Sequence, residues 1–231
     1  MSAAFDTLRL KAVEAAVIEL KNPFTESNNY TAVTDLHLPE GTILENRGER
    51  VDEFLITAGA RYALTLPGQA GADARMWCGM FIYYCYDKAY KQIGNPKPLP
   101  FRGIDLWSGS RLRTWATNYD KGQLQLYNSL TSDPRIANGE MEEIRQQENA
   151  KKIDHVILWS NTDKSMNASL IKAQPGDIFS INDGHIGMVY SSLDNGYFTT
   201  IEGNQSSVQE KGTAVATHKR TVADCSIIIR I

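Results

Sequence analysis

Trp77-Cys78-Gly79-Met80-Phe81-Ile82-Tyr83-Tyr84-Cys85-Tyr86 is the stretch on which the fold turns. Cys78, Ile82, Cys85 and Ala89 recur at helical spacing, which predicts a buried helix with Cys78 in its first turn. A glycine-rich stretch, Gly68-Gln69-Ala70-Gly71, precedes it, and Pro96, Pro98 and Pro100 prevent its continuation. Upstream, Leu10, Val13, Val17 and Leu20 put one apolar face on a helix from about Asp6 to Lys21, with Pro23 beyond its end. A second helix is expected over about Arg50 to Ala58, with Val51, Phe54 and Leu55 inward and Gly59 as its stop. The polar, turn-rich residues 22–49 between them read as a loop or short hairpin.

Downstream of Pro175 the period changes to that of strands. Pro175-Gly176-Asp177 is a turn, followed by strands at Ile178 to Ile181 and His185 to Tyr190. Asp194-Asn195-Gly196 marks a hairpin, Tyr197 to Glu202 is the returning strand, and Ile227-Ile228-Ile229 suits a closing buried strand. Val156 to Trp159 is a further strand candidate, and the charge-dense Glu140 to Lys152 reads as an exposed helix. Helices first and antiparallel strands after give an α+β class in a single domain spanning 1–231.

The chain has 231 residues, 42% of them hydrophobic and 22% charged, with a formal net charge of −3, enough apolar material for a substantial core. No basic stripe suggests nucleic-acid binding, and His218-Lys219-Arg220 reads as a solvated strand end. No apolar run reaches the ~18–20 residues of a membrane span. The start, Met1 to Asp6, lacks the pattern of a secretory signal, so synthesis in the cytoplasm is expected. Three cysteines without a CxxC pair argue against a disulfide framework. Cys78 and Cys85 would stand ~10 Å apart along a helix, too far to bridge.

A thiol at a helix start meets unsatisfied N–H groups and a partial positive charge, both of which favour the thiolate. Most lone cysteines are small buried hydrophobes, so Cys78 needs a partner to be a nucleophile. Asp183-Gly184-His185-Ile186-Gly187 supplies one, a histidine at a strand start between glycines that leave space for a substrate backbone. Gly187 and Trp77 are therefore the candidate substrate-binding residues, the indole lining a cleft or packing in the core. A third member comes from Ile201-Glu202-Gly203-Asn204. Depending on where the hairpin is centred, His185 faces Glu202, Asn204 or Ser206, and a carboxylate or amide there would fix the imidazole tautomer.

At these residues the chain resembles the CHAP family, the cysteine- and histidine-dependent amidohydrolases and peptidases. The resemblance lies in Trp77-Cys78-Gly79-Met80-Phe81, Gln174-Pro175-Gly176-Asp177-Ile178, Gly184-His185-Ile186-Gly187 and Ile201-Glu202-Gly203-Asn204. Asn46-Arg47-Gly48, with Val51 and Gly59, and the proline-rich Asn95 to Pro100 are similar to flanking segments in some bacterial members. It covers most of residues 45–105 and 173–231. It implies a papain-like fold that hydrolyses amide bonds of bacterial peptidoglycan, as an amidase or endopeptidase. Cys78 is then the nucleophile, His185 the base, and Glu202 and Asn204 the residues that orient it. Residues 1–45 become an N-terminal helical extension and 106–170 an insertion, as a lid, specificity element or partner surface. No acidic cluster precedes Cys78 to match the calcium site of some relatives, so no metal and no cofactor is expected.

The expected partner is a peptidoglycan peptide met by a monomer, in the wall or periplasm after lysis or specialised secretion. A phage lysin and a secreted antibacterial effector both fit, and the latter would bring a secretion or immunity partner. Three alternatives stay open: an NlpC-type cell-wall peptidase, an inactive binding module on the same fold, and a zinc site built from Cys78, His185 and Glu202.

Overall fold

A computed structural model describes residues 3–22, 30–31, 43–44, 49–59, 77–94, 99–117, 155–194, 196–206 and 213–231. Its central element is the helix α3, Cys78–Ile93, preceded by α1, Ala3–Lys21, and α2, Glu49–Thr57. Every residue of α3 from Cys78 to Tyr86 is buried. A helix apolar all round is enclosed on several sides, and α1, α2 and the sheet all pack on this one. It stops at Gly94, whose left-handed φ of 59° is the usual helix terminator. The predicted face of Cys78, Ile82, Cys85 and Ala89 is thus part of a wider buried surface.

The predicted inward face of α1 holds at Val13, which is buried, and at Val17 and Leu20, which are half-buried against the core, and is corrected at Leu10. Leu10 is 54% exposed, whereas Leu8, Ala12, Val13, Ala15 and Ala16 are buried. The alanines are small enough to bring the backbones of α1 and α3 close together. Arg9 and Glu19 share the buried side, each held by an ion pair, and their charge hid them from a hydrophobicity count. Residues of α1 share one buried core with α3 and the sheet. Helix α2 buries Val51, Phe54 and Leu55 as expected. Within residues 22–49, strands β1 (Tyr30–Thr31) and β2 (Ile43–Leu44) pair antiparallel.

The rest is one six-stranded antiparallel sheet, in the order β3-β8-β4-β5-β6-β7. Its strands are β3 (Val156–Ser160), β4 (Ile178–Ile181), β5 (His185–Ser192), β6 (Tyr197–Ser206), β7 (Thr213–Thr221) and β8 (Ile227–Arg230). The class is therefore α+β, with helices leading and an antiparallel sheet following. Ile178, Ile186, Met188, Ile201, Ile227 and Ile229 face the helices. Phe179, Val189, Phe198 and Ile228 build a second core on the other face, with Ala173, Val222 and Cys225. Burial on both faces explains the unbroken apolar run of β8.

The described parts of the expected insertion are built into this framework. β3 is an edge strand on β8, and a second short helix, α4 (Gly109–Thr117), packs near β4. His155 stacks on Trp115 of α4, with ring centroids 4.5 Å apart, and hydrogen bonds with the Ala116 carbonyl. The predicted Glu140 to Lys152 helix lies outside the described residues, as does the Gly68 to Gly71 stretch. Among the described residues no helix is long and apolar enough to cross a membrane.

The Gln174-Pro175-Gly176-Asp177 turn ties the layers together. Asp177 is fully buried and accepts hydrogen bonds from Arg9 Nη1 at 3.0 Å, Arg230 Nε at 2.8 Å and Arg230 Nη2 at 2.7 Å. Its other contact is the Gln174 backbone N–H at 2.7 Å, and Tyr86 of α3 donates to the Gly176 carbonyl. One carboxylate thus joins α1, β8 and the start of β4. Removing one partner of a buried ion pair strands the other charges in a dry interior. Asp177→Ala should therefore cost about 3–5 kcal/mol, read as a lower urea midpoint. An unchanged midpoint would show that this carboxylate holds nothing together.

Candidate active site

Cys78 is the first residue of α3, so the sequence places its thiol where the helix has unbonded N–H groups. Trp77, at the N-cap, contributes no side-chain hydrogen bond to that turn. Its ring is fully buried, 5.6 Å from Phe54 and 6.4 Å from Phe81 between centroids, and it also packs on Gly203. Of the two roles considered for Trp77, the structure gives it packing: the indole anchors the helix start instead of lining a cleft. Gly79 is required by a close approach, because a Cβ there would lie 1.6 Å from the Leu106 carbonyl oxygen.

His185 begins β5, directly after a turn in which Asn182 and Asp183 both adopt left-handed backbone, with φ of 51° and 53°. Asn and Asp tolerate this conformation better than other side chains. Neighbouring elements hold the turn in place. The Asp183 carbonyl accepts from the Ser110 N–H at 3.0 Å, its N–H donates to Ser226 Oγ at 3.0 Å, and its carboxylate accepts from Arg113 at 2.8 Å. Helix α4 therefore clamps the turn that delivers the histidine. Leu106 touches Gly79 beside the thiol and Gly109 touches Asp183 beside the imidazole, so Trp107 and Ser108 bridge the two halves of the site. Both are half-buried, and neither stood out in the sequence.

The imidazole Nε2 hydrogen bonds with Glu202 Oε2 at 2.8 Å, and Glu202 is fully buried. The strand pairing Met188↔Ile201 and Val189↔Thr200 follows the register that, continued, sets Asn204 across from His185. The ladder stops before that point, and the carboxylate reaches the ring diagonally. Asn204 adopts a left-handed φ of 58° at an irregularity in the β6–β7 ladder, and the bond to the imidazole is made by Glu202. Gly187 is the residue that admits Glu202. A Cβ there would lie 2.8 Å from Glu202 Cγ and 2.5 Å from Phe179 Cζ, so the space read as open to substrate is filled by protein. The open glycine is Gly184, whose nearest neighbours stand at 3.8 and 4.0 Å.

Arg220 is the component that sequence reading missed. It is no solvated strand end: its Nε donates to Glu202 Oε1 at 2.9 Å and its Nη2 to Oε2 at 2.8 Å. Thr200 Oγ1 adds a third donor, to Oε1 at 2.6 Å. The only hint in sequence was a basic residue on a strand neighbouring that of Glu202, a signal too common to single out.

The electrostatics arise from these contacts. Burial works against charge on His185, but hydrogen bonding with Cys78 and Glu202, and their negative charge, outweigh it and push the imidazole up to about 9. Burial likewise opposes ionisation of Glu202, yet hydrogen bonds from His185, Arg220 and Thr200 hold it down to about 2. Desolvation pushes the buried Cys85 and Cys225 thiols well above the usual thiol range, keeping both neutral. Among the described residues no cluster of His, Cys, Asp and Glu is arranged to hold a metal ion.

The folded imidazole binds its proton more tightly than the ordinary value of 6.5. It therefore contributes stability that is complete below about pH 6.5 and is lost as the pH rises through about 9. Glu202→Gln removes one source of that shift, so the His185 titration followed by NMR should move down by about 1–2 pH units, and the pH-dependent loss of stability should be smaller and complete at lower pH. An unmoved midpoint would show that Glu202 does not set the imidazole. No protein-family model, curated protein or solved structure matches this chain.

Proposed function

We propose that the protein is a cysteine hydrolase of papain-like architecture that cuts amide bonds in the peptides of bacterial peptidoglycan. The observation that carries this reading is the relay from Cys78 at a helix start, through an imidazole that favours its charged form, to a buried carboxylate. A thiol beside an imidazolium is poised as a nucleophile, and the third member orients and stabilises that cation. The choice of wall peptides as substrate rests on the resemblance of the motifs around Cys78, Asp177, His185 and Glu202 to the CHAP family.

In this reading the Cys78 thiolate attacks the amide carbonyl, and the carbonyl electron pair moves onto oxygen. The N–H groups of the first turn of α3, starting with that of Cys78, stabilise the oxyanion. His185 has its Nε2 committed to Glu202, so Nδ1 carries the mobile proton. As the tetrahedral adduct collapses, that proton passes to the departing amine, the C–N bond breaks and a thioester remains. Water then attacks the thioester while His185 takes a proton from it, and the acid leaves as the thiolate–imidazolium pair is restored. The substrate lies in the wall.

Digestion of purified peptidoglycan, with the new amino and carboxyl termini identified by mass spectrometry, tests the reading and names the bond. Cys78→Ala should reduce cleavage to background while the protein stays folded, since the nucleophile itself is gone. Cys85→Ala and Cys225→Ala should keep the activity wherever they fold, because both thiols are buried and neutral. Cleavage by Cys78→Ala at the wild-type rate would end the proposal, as would wild-type protein that releases no new termini.

A further inference from the structure

The Glu202 carboxylate serves two cations at once. Its Oε2 is shared between His185 Nε2 at 2.8 Å and Arg220 Nη2 at 2.8 Å, and its Oε1 between Arg220 Nε at 2.9 Å and Thr200 Oγ1 at 2.6 Å. A two-pronged grip of this kind fixes geometry as well as charge. The grip is also made at a distance along the sheet. Glu202 stands directly across from Ala216, and Arg220 directly across from Phe198, so the guanidinium reaches back along the sheet to the carboxylate. In its reactive form the relay alternates in sign: Cys78 thiolate, His185 imidazolium, Glu202 carboxylate, Arg220 guanidinium.

We propose that Arg220 is a positioning residue that sets the basicity of His185 by drawing off part of the Glu202 charge. This rests on reading Cys78 and His185 as a reactive pair. With the guanidinium in place the four groups sum to zero charge around a carboxylate with no solvent exposure. Without it the same four positions carry a net negative charge, and among the described residues the imidazolium is the cation left on the carboxylate. His185 would then hold its proton harder. That is a handicap in a reaction whose first half ends with the proton leaving for an amine. Thr200 acts in the same sense but more weakly, as a neutral donor to the other oxygen.

The charged and titratable groups facing this centre come from four elements. Cys78 of α3 and Glu202 of β6 act on His185. Glu202 meets His185 of β5 and Arg220 of β7. Arg220 in turn feels Glu202, and also Asp224 and Cys225 beyond the end of β7. Asp224 adds negative charge felt by the guanidinium, and Cys225 is neutral at ordinary pH.

The test uses the full-length chain and needs no substrate. In a Cys78→Ala background the thiol no longer perturbs the ring, and the His185 imidazole is titrated by NMR. Arg220→Gln should move the midpoint up by about half a unit to one unit. Arg220→Lys, which keeps the positive charge, should leave it near the parent value. Thr200→Val should move it up by less than Arg220→Gln does. In protein with Cys78 intact, the pH profile of iodoacetamide alkylation should shift its imidazolium-dependent limb upward in Arg220→Gln. A folded Arg220→Gln protein whose imidazole titrates at or below the parent midpoint overturns the proposal, as does an equal upward shift in Arg220→Lys. If Arg220→Gln does not fold, an unmoved or lowered midpoint in Thr200→Val overturns it. None of these readouts depends on peptidoglycan cleavage. A protein inert toward peptidoglycan but showing these shifts would remove the substrate assignment and leave the role of Arg220 standing.

Discussion

One buried carboxylate, Asp177, makes the remaining architecture possible. A negative charge with no exposure is tolerated only when its oxygens are saturated, and two guanidiniums and a backbone N–H do this. The cations come from opposite ends of the chain, Arg9 in α1 and Arg230 in β8, so the first helix and last strand close on the same turn. Between them α3 is enclosed, and Tyr86 on that helix bonds to the neighbouring Gly176 carbonyl. The Pro-Gly-Asp turn therefore acts as a lock on the helix–sheet arrangement, far along the chain from the Cys78 thiol. Its consequence for chemistry is indirect but physical: a helix held on all sides keeps its first residue in one place.

The site obeys the same rule with a second buried carboxylate. Glu202 is admitted beneath β5 because residue 187 has no side chain, and its oxygens are again saturated by donors from three strands. What differs is that one donor is titratable. An imidazole between a thiol and a carboxylate has two partners that favour its charged form, and together they outweigh the cost of burial. The thiol in this relay is distinguished from Cys85 and Cys225 by its neighbours. All three are buried, yet only Cys78 meets an imidazole and begins a helix. Surroundings alone divide three chemically identical side chains into one candidate nucleophile and two packing groups.

The segment between Cys78 and His185 illustrates how a stretch that interrupts a motif pattern can still be structural. Seen as sequence, residues 106–170 separate two halves of a motif set. In the fold, Gly103–Leu106 presses on the start of α3, α4 grips the β4–β5 turn through Ser110 and Arg113, and Val156–Ser160 adds an edge strand. The described parts thus fasten the thiol-bearing helix to the histidine-bearing hairpin. This fastening matters because the two side chains come from elements with no shared local structure.

Local chemistry was enough to read the helix around Cys78, the antiparallel hairpins after Pro175, and the candidacy of Cys78 and His185. Each rests on interactions within a few residues: helical or strand periodicity, glycine at a stop, a turn that reverses the chain. The sequence also limited the third member of the relay to a short list, since strand alternation puts Glu202, Asn204 and Ser206 on one face. Only the tertiary structure chose Glu202, because the choice depends on where the β5–β6 ladder ends and on Arg220 arriving from a third strand. The burial of Arg9 and Glu19 on the inward side of α1 was equally out of reach, since no local pattern announces their partners, Asp177 and Arg50. Periodicity records which residues prefer to leave water; a charged residue leaves it only when a distant opposite charge is waiting, and that meeting is made by the fold.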